Sequence, residues 1–85
     1  MTIYFDEDSA YWTNDNTLNE HFLNCKMDYI IEIIKHRGYI YLNQIYENLG
    51  IEWDTRCGNL CLENPNCTVV IGWEDKNNRW SIDIY

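Results

Sequence analysis

A β-hairpin is predicted for residues 68–85, which read TVVIGWEDKNNRWSIDIY. Residues 68–73 are mostly β-branched and apolar, as is typical of a strand. Residues 74–78 are polar and supply the turn, and residues 79–85 alternate strictly between apolar and polar side chains. The alternation places Trp80, Ile82 and Ile84 on one face, so we expect an antiparallel pair of strands with one buried face.

A long helix is predicted for residues 17–37. Thr17 and Glu20 have the spacing of a capping box, in which each side chain accepts a hydrogen bond from the other residue's backbone N–H. Basic residues precede Gly38, and glycine ends helices readily. Apolar residues recur at helical spacing in between, namely Leu23, Met27, Ile30, Ile31 and Ile34, with Phe22, Tyr29 and Ile33 widening the same face.

The chain is predicted to form one α+β domain over residues 1–85. One long helix and one short helix pack on a small antiparallel sheet that ends in the C-terminal β-hairpin. The other predicted segments are a strand at 2–5, a polar acidic arm or loop at 6–16, extended chain at 39–41, the short helix at 42–49, extended chain at 51–53 and irregular chain at 54–66.

The formal net charge of −8 argues against two classes of partner. An acidic surface repels nucleic acid and anionic membranes, and it attracts basic proteins. Aromatic residues make up 15% of the chain, which argues against disorder. The apolar runs are too short for a membrane span, and residues 1–8 lack the features of a secretory signal, so we expect a cytoplasmic protein.

Four cysteines are expected to be free thiols, because nothing points to an oxidising compartment. The favoured interpretation is that they are small buried hydrophobic residues. The alternative is a zinc site in which Cys57 and Cys61 form one knuckle and Cys67 or His36 completes it. This spacing is unlike that of common zinc sites. We therefore expect no metal and no cofactor.

Residues 37–85 resemble a group of small proteins from phages and mobile elements of Firmicutes. The resemblance is carried by a glycine-tyrosine helix motif at 37–51, by Val70-Ile71-Gly72-Trp73, and by the closing strand at 81–85. The group has no assigned activity, so the resemblance implies only a phage-type, bacterial and cytosolic setting. The Cys- and Asn-rich segment 57–67 and the acidic N-terminal segment depart from the group's pattern.

Enzymatic and nucleic-acid-binding functions are weaker interpretations. His21 and Cys25 share a helix face as a catalytic pair would, but such pairs also arise by chance, as a part-exposed histidine beside a core cysteine. The carboxylates beside Trp53 and Trp73 are of the kind used by glycosidases, yet solvated loop charges explain them as well. A winged helix-turn-helix would need basic residues on the short helix, and it has none.

The acidic residues and the aromatic residues together favour a binding protein. Carboxylates on one surface can mimic the phosphates of a duplex, and Tyr and Trp are enriched at binding hot spots. We expect a phage-type, anti-CRISPR-like inhibitor of a nucleic-acid-handling defence protein, with a basic host protein such as a CRISPR effector as its partner. The expected contact residues are Asp6, Glu7, Asp8, Tyr11, Trp12 and Asp15.

A structural or assembly protein of a phage or mobile element is the alternative. Such a protein would self-associate through a sheet edge, which we place at the C-terminal strand, residues 79–85. In that case the acidity serves only solubility. The sequence leaves the oligomeric state open.

Overall fold

The computed structural model describes residues 1–52, 60–64 and 66–85. Two helices pack with antiparallel strands, which confirms the predicted α+β class. The elements in chain order are β1 (Thr2–Phe5), α1 (Asn16–Arg37), β2 (Ile40–Tyr41), α2 (Leu42–Leu49), β3 (Cys61–Leu62), β4 (Val69–Glu74), a 3₁₀ turn (Asp75–Asn77) and β5 (Arg79–Ile84).

The predicted hairpin is confirmed as β4 and β5, joined through the 3₁₀ turn. Asn78 closes the turn in the left-handed conformation, with φ of 50°. On β5, Trp80, Ile82 and Ile84 are buried, as the alternation predicted.

The prediction that the C-terminal strand forms a sheet edge is wrong. The strand order is β1-β5-β4, so β5 lies in the middle of the sheet. The reason is that the start of the chain pairs with its end: Met1 and Ile84 exchange two backbone hydrogen bonds, of 2.9 and 2.8 Å. The edges of this sheet are therefore β1 and β4.

One hydrophobic core lies between the sheet and the two helices. Its centre is apolar, and Asn19 and Ser9 are the buried polar residues of the described chain. The core consists of Ile3, Phe5, Leu23, Met27, Ile30, Ile34, Ile40, Leu42, Ile45, Leu49, Trp80, Ile82 and Ile84.

Helix α1 begins earlier than predicted, and the capping box at Thr17 is wrong. Asp15 is the N-cap, and its Oδ1 accepts hydrogen bonds from the N–H groups of Thr17 and Leu18 at 2.9 and 3.3 Å. Both Asp and Thr are good N-cap residues, so local sequence does not separate them. Tertiary structure selects Asp15, because Asn19 is buried and binds the backbone of Thr13.

The core face of α1 is close to the predicted one. Leu23, Met27, Ile30 and Ile34 are buried, and the helix ends at Gly38 in the left-handed conformation, with φ of 89°. Tyr29 was predicted to widen this face, but it is 56% exposed. At 3.6 residues per turn, its position lies toward the solvent side of α1, away from the buried residues Leu23, Met27, Ile30 and Ile34.

A short strand lies within the segment that was predicted to be irregular. Cys61 and Leu62 form β3, which pairs with β2. A strand of two residues has no alternation for sequence to reveal, so the pairing depends on tertiary contacts. Residues 54–59 and 65 of that prediction lie outside the described residues, as does Trp53.

Candidate functional site

Three consecutive carboxylates form a tight turn directly after β1. We call Asp6, Glu7 and Asp8 the acidic loop. Asp6 Oδ1 accepts a hydrogen bond from the Asp8 N–H at 2.9 Å, and the Asp6 carbonyl accepts one from the Ser9 N–H at 3.0 Å. Glu7 and Asp8 are exposed and Asp6 is half-buried, so the turn presents its charge to solvent.

Two hydrogen bonds fix the acidic loop to the end of α2. The buried Ser9 hydroxyl donates to the Leu49 carbonyl at 2.6 Å, and the Ala10 N–H donates to the Gly50 carbonyl at 2.8 Å. These bonds also satisfy carbonyl groups at a helix end, which have no partner within the helix. The loop is thus held in place by the fold itself.

Tyr11 extends the acidic loop with an exposed ring. The side chain is 51% exposed, and its ring centroid lies 5.5 Å from that of Phe22. Its other neighbour is Gly50, where a Cβ atom would lie 2.6 Å from Tyr11 Cδ2. Because this ring is both packed and exposed, it offers contact area at low entropic cost.

Trp12 and Asp15 have roles in the fold itself. The half-buried Trp12 ring lies 5.5 Å from the Phe5 ring and 6.4 Å from the Trp73 ring, so it closes one end of the core. Asp15 caps α1. The structure therefore brings Asp6, Glu7, Asp8 and Tyr11 together at the surface. Partner contact by any of the six residues stays a prediction.

Sequence reasoning missed Tyr4 and Glu52, which lie beside the acidic loop. A surface pocket of about 230 Å³ adjoins the loop. A second pocket, of about 260 Å³, continues along β1 and shares Tyr4, Ile51 and Glu52 with the first. The first pocket is lined by Tyr4, Asp6, Asp8, Ser9, Ile51 and Glu52. Alternation in β1 indicates that Tyr4 points outward, but no local pattern places residue 52 beside residue 6.

Arg79 lies beside this region on the outer face of the sheet. Its guanidinium lies 3.7 Å from the centroid of the Tyr4 ring, and its Nε donates to Glu74 Oε1 at 2.8 Å. The hydrogen bond to Glu74 raises the pKa of Arg79, and the charge of Asp6 contributes to the rise. Glu74 is thus the ion-pair partner of Arg79.

The cysteines are less buried than predicted. Cys25 is exposed, so the interpretation of a core cysteine is wrong, while Cys61 and Cys67 are half-buried; all three are free thiols. Cys25 is exposed because it lies on the solvent side of α1. Cys57 lies outside the described residues. Among those described, no group of three or more His, Cys, Asp or Glu side chains is arranged to hold a metal ion.

His21 and Cys25 do meet, as their spacing predicted. The Sγ and Nε2 atoms are 3.7 Å apart on an exposed helix face. Both residues are exposed, so the pair is open to water. The expectation that this pair is not catalytic stays a prediction.

The Cys61 thiol has a carboxylate partner. It donates a hydrogen bond to Glu63 Oε1 at 3.3 Å. This bond raises the pKa of the thiol, and partial desolvation and the negative charge of Glu63 act in the same direction. The thiol is thus kept protonated and poorly nucleophilic.

Comparison of the chain with known proteins found no match. No protein-family model, curated protein or solved structure matches it. The resemblance of residues 37–85 to phage and mobile-element proteins therefore stays a prediction. Among the described residues, no helix is long and apolar enough to cross a membrane.

Proposed function

We propose that this chain is a small binding protein whose acidic loop and Tyr11 occupy a basic surface on another protein. The observation that supports it is the anchoring of Asp6, Glu7 and Asp8 through Ser9 to Leu49. A contact surface that is ordered before binding loses less entropy when the complex forms. Its negative charge would also speed association with a basic partner.

The specific form of the proposal is inhibition by nucleic-acid mimicry. A basic groove that holds DNA or RNA is the protein surface most complementary to a chain of net charge −8. A bound acidic domain would exclude the nucleic acid. The proposed partner is a nucleic-acid-handling defence protein of a bacterial host, such as a CRISPR effector, and the proposed setting is the host cytoplasm.

The test is affinity capture of partners from bacterial lysate with stepwise salt elution and mass spectrometry. The proposal expects a basic nucleic-acid-binding protein that is released at moderate salt and displaced by added DNA or RNA. Capture that is unaffected by salt and nucleic acid would contradict it.

Two variants make this capture specific. The first carries Asp6→Asn, Glu7→Lys and Asp8→Lys, and Asn at position 6 keeps the acceptor for the Asp8 N–H. The matched control changes α1 by the same charge, through Glu20→Gln, Asp28→Lys and Glu32→Lys. The partner should be lost from the first variant and retained by the second.

Self-association through the edge of β4 is the second candidate. Thr68 and Tyr85 exchange backbone hydrogen bonds of 3.1 and 2.9 Å, so the antiparallel pattern turns the backbone groups of Val69, Ile71 and Trp73 away from β5. Residues 69–73 carry no charge, and Val70 is 51% exposed. Long uncharged edges of this kind favour strand pairing between chains.

Sedimentation velocity over a range of protein concentrations separates the two candidates. Assembly predicts an oligomer whose fraction increases with protein concentration and changes little with salt. The Val69→Pro variant, which removes an outward N–H, should reduce it. A monomer at every concentration would contradict assembly.

A further inference from the structure

Among the residues that the structure describes, one edge of strand β1 has no main-chain partner. Because Met1 and Ile84 form a hydrogen-bonded pair, the antiparallel pattern makes Ile3 and Phe5 the next residues bonded to β5. The N–H and C=O groups of Thr2 and Tyr4 then point away from the sheet. Among the described residues, no backbone hydrogen bond uses these groups. They match the pattern that an added strand needs.

A groove runs along this edge. It is formed by the two adjoining pockets of about 260 and 230 Å³. One wall is β1, and the opposite wall includes Ile51 and Glu52. As formed by the described residues 1–52, the groove gives an incoming chain access to this side of β1.

The charge around the groove specifies its occupant. Asp6 and Asp8 line one of the two pockets, and Glu52 lines both, as does Tyr4, which is 42% exposed. Arg79, on the same face, is the ion-pair partner of Glu74. The groove thus complements a positively charged segment.

We propose that this groove binds an extended basic segment of a partner protein, which adds to β1 as an antiparallel strand. The inference rests on the proposed function and deepens it, because it names the part of the basic partner that is bound. An antiparallel strand would place the side chains of alternate residues on the outer face, beside Thr2 and Tyr4. Lysine or arginine at every second position would then lie nearest to the carboxylates.

The probe is a terminally blocked octapeptide of alternating lysine and threonine. It is titrated into isotope-labelled protein and followed by amide chemical shifts at low salt. We expect the largest shifts at Thr2, Tyr4 and Glu52, with little change along β4. Absence of binding at millimolar peptide would overturn the inference.

N-methylated peptides separate strand addition from simple charge attraction. In antiparallel pairing, residues whose side chains face outward beside Thr2 and Tyr4 also direct their N–H groups at β1. Methylation of the backbone amide nitrogens of the lysine residues should therefore weaken binding at least about tenfold, because each lost hydrogen bond reduces affinity severalfold. Methylation of the backbone amide nitrogens of the threonine residues should change the affinity by less than about threefold. Equal binding by the two peptides would overturn strand addition.

Matched protein variants test the role of the charges. The double variant Asp8→Asn/Glu52→Gln should bind the unmethylated peptide about tenfold more weakly at low salt. Asp28→Asn with Glu32→Gln, the same change on α1, should alter binding less than about twofold. Equal weakening by both pairs would show that only net charge matters.

The failure of this inference can be told from the failure of the proposed function. If the peptide does not bind, but partner capture still depends on the acidic loop, the groove proposal falls and the proposed function stands. If the peptide binds as expected, but capture does not depend on the loop, the groove binds basic strands and the proposed function falls.

Discussion

The Ser9 hydroxyl donates a hydrogen bond of 2.6 Å to the carbonyl of Leu49 in a buried setting. This bond joins the chain just after the acidic loop to the last residue of α2. The neighbouring bond from Ala10 to Gly50 strengthens the junction. The position of the acidic loop therefore depends on the stability of the whole fold.

Ser9→Ala should lower the free energy of unfolding by roughly 1–3 kcal/mol, because it leaves the buried Leu49 carbonyl without its partner. Urea denaturation measures the change. Asn14→Ala is the control: it alters an exposed loop residue and should stay within about 0.5 kcal/mol of the original protein. Equal stability of both variants would show that the junction does not hold the loop.

Gly50→Ala should destabilise more than Gly38→Ala. Both glycines have positive φ, of 71° and 89°, so a side chain at either position is strained by about 1 kcal/mol. A Cβ at Gly50 would also lie 2.6 Å from the Tyr11 ring, whereas nothing lies within 4 Å at Gly38. Thermal unfolding of the two variants gives the comparison, and equal losses would argue against the contact with Tyr11.

Asp15→Ala should lower stability by about 1 kcal/mol, because it removes the side chain that caps α1. Thr17→Ala should change stability by less than about 0.5 kcal/mol. Denaturant titrations with circular dichroism at 222 nm report both. A larger loss of stability from Thr17→Ala than from Asp15→Ala would show that Thr17 is the N-cap, as the sequence predicted.

Cys61 should react slowly with iodoacetamide near pH 8, because the hydrogen bond to Glu63 raises its pKa and the thiolate is the reactive form. Glu63→Gln should speed the alkylation of Cys61 and leave the rate at Cys25 unchanged. The rate should rise with pH in both proteins, and the variant should reach its plateau at lower pH. Peptide mapping after timed alkylation gives the rates, and a rate independent of residue 63 would contradict this.

Periodicity predicted the elements of the fold but not their arrangement. The alternation at 79–85 and the apolar spacing at 23–34 determine which faces are buried, so β5 and most of α1 follow from sequence. The central position of β5 does not, because it arises from pairing between the two ends of the chain. The start of α1 and the strand β3 likewise depend on tertiary contacts.

The candidate site was predictable only in its charge. Composition pointed to Asp6, Glu7 and Asp8, and the structure shows them in one turn. The anchoring by Ser9 and the position of Glu52 needed the structure, because both depend on residues distant along the chain. Trp12 was predicted as a contact for its residue type, but its ring packs on the core.

The rate of association with a captured basic partner tests the central claim most directly. It is measured over a range of salt for the original protein, for Asp6→Asn/Glu7→Lys/Asp8→Lys and for Glu20→Gln/Asp28→Lys/Glu32→Lys. Both variants raise the formal charge from −8 by the same amount, so they differ only in where the charge changes. Binding through the acidic loop predicts a fall of at least about tenfold at low salt for the first variant and a much smaller fall for the second. Equal rates for the two variants would contradict it.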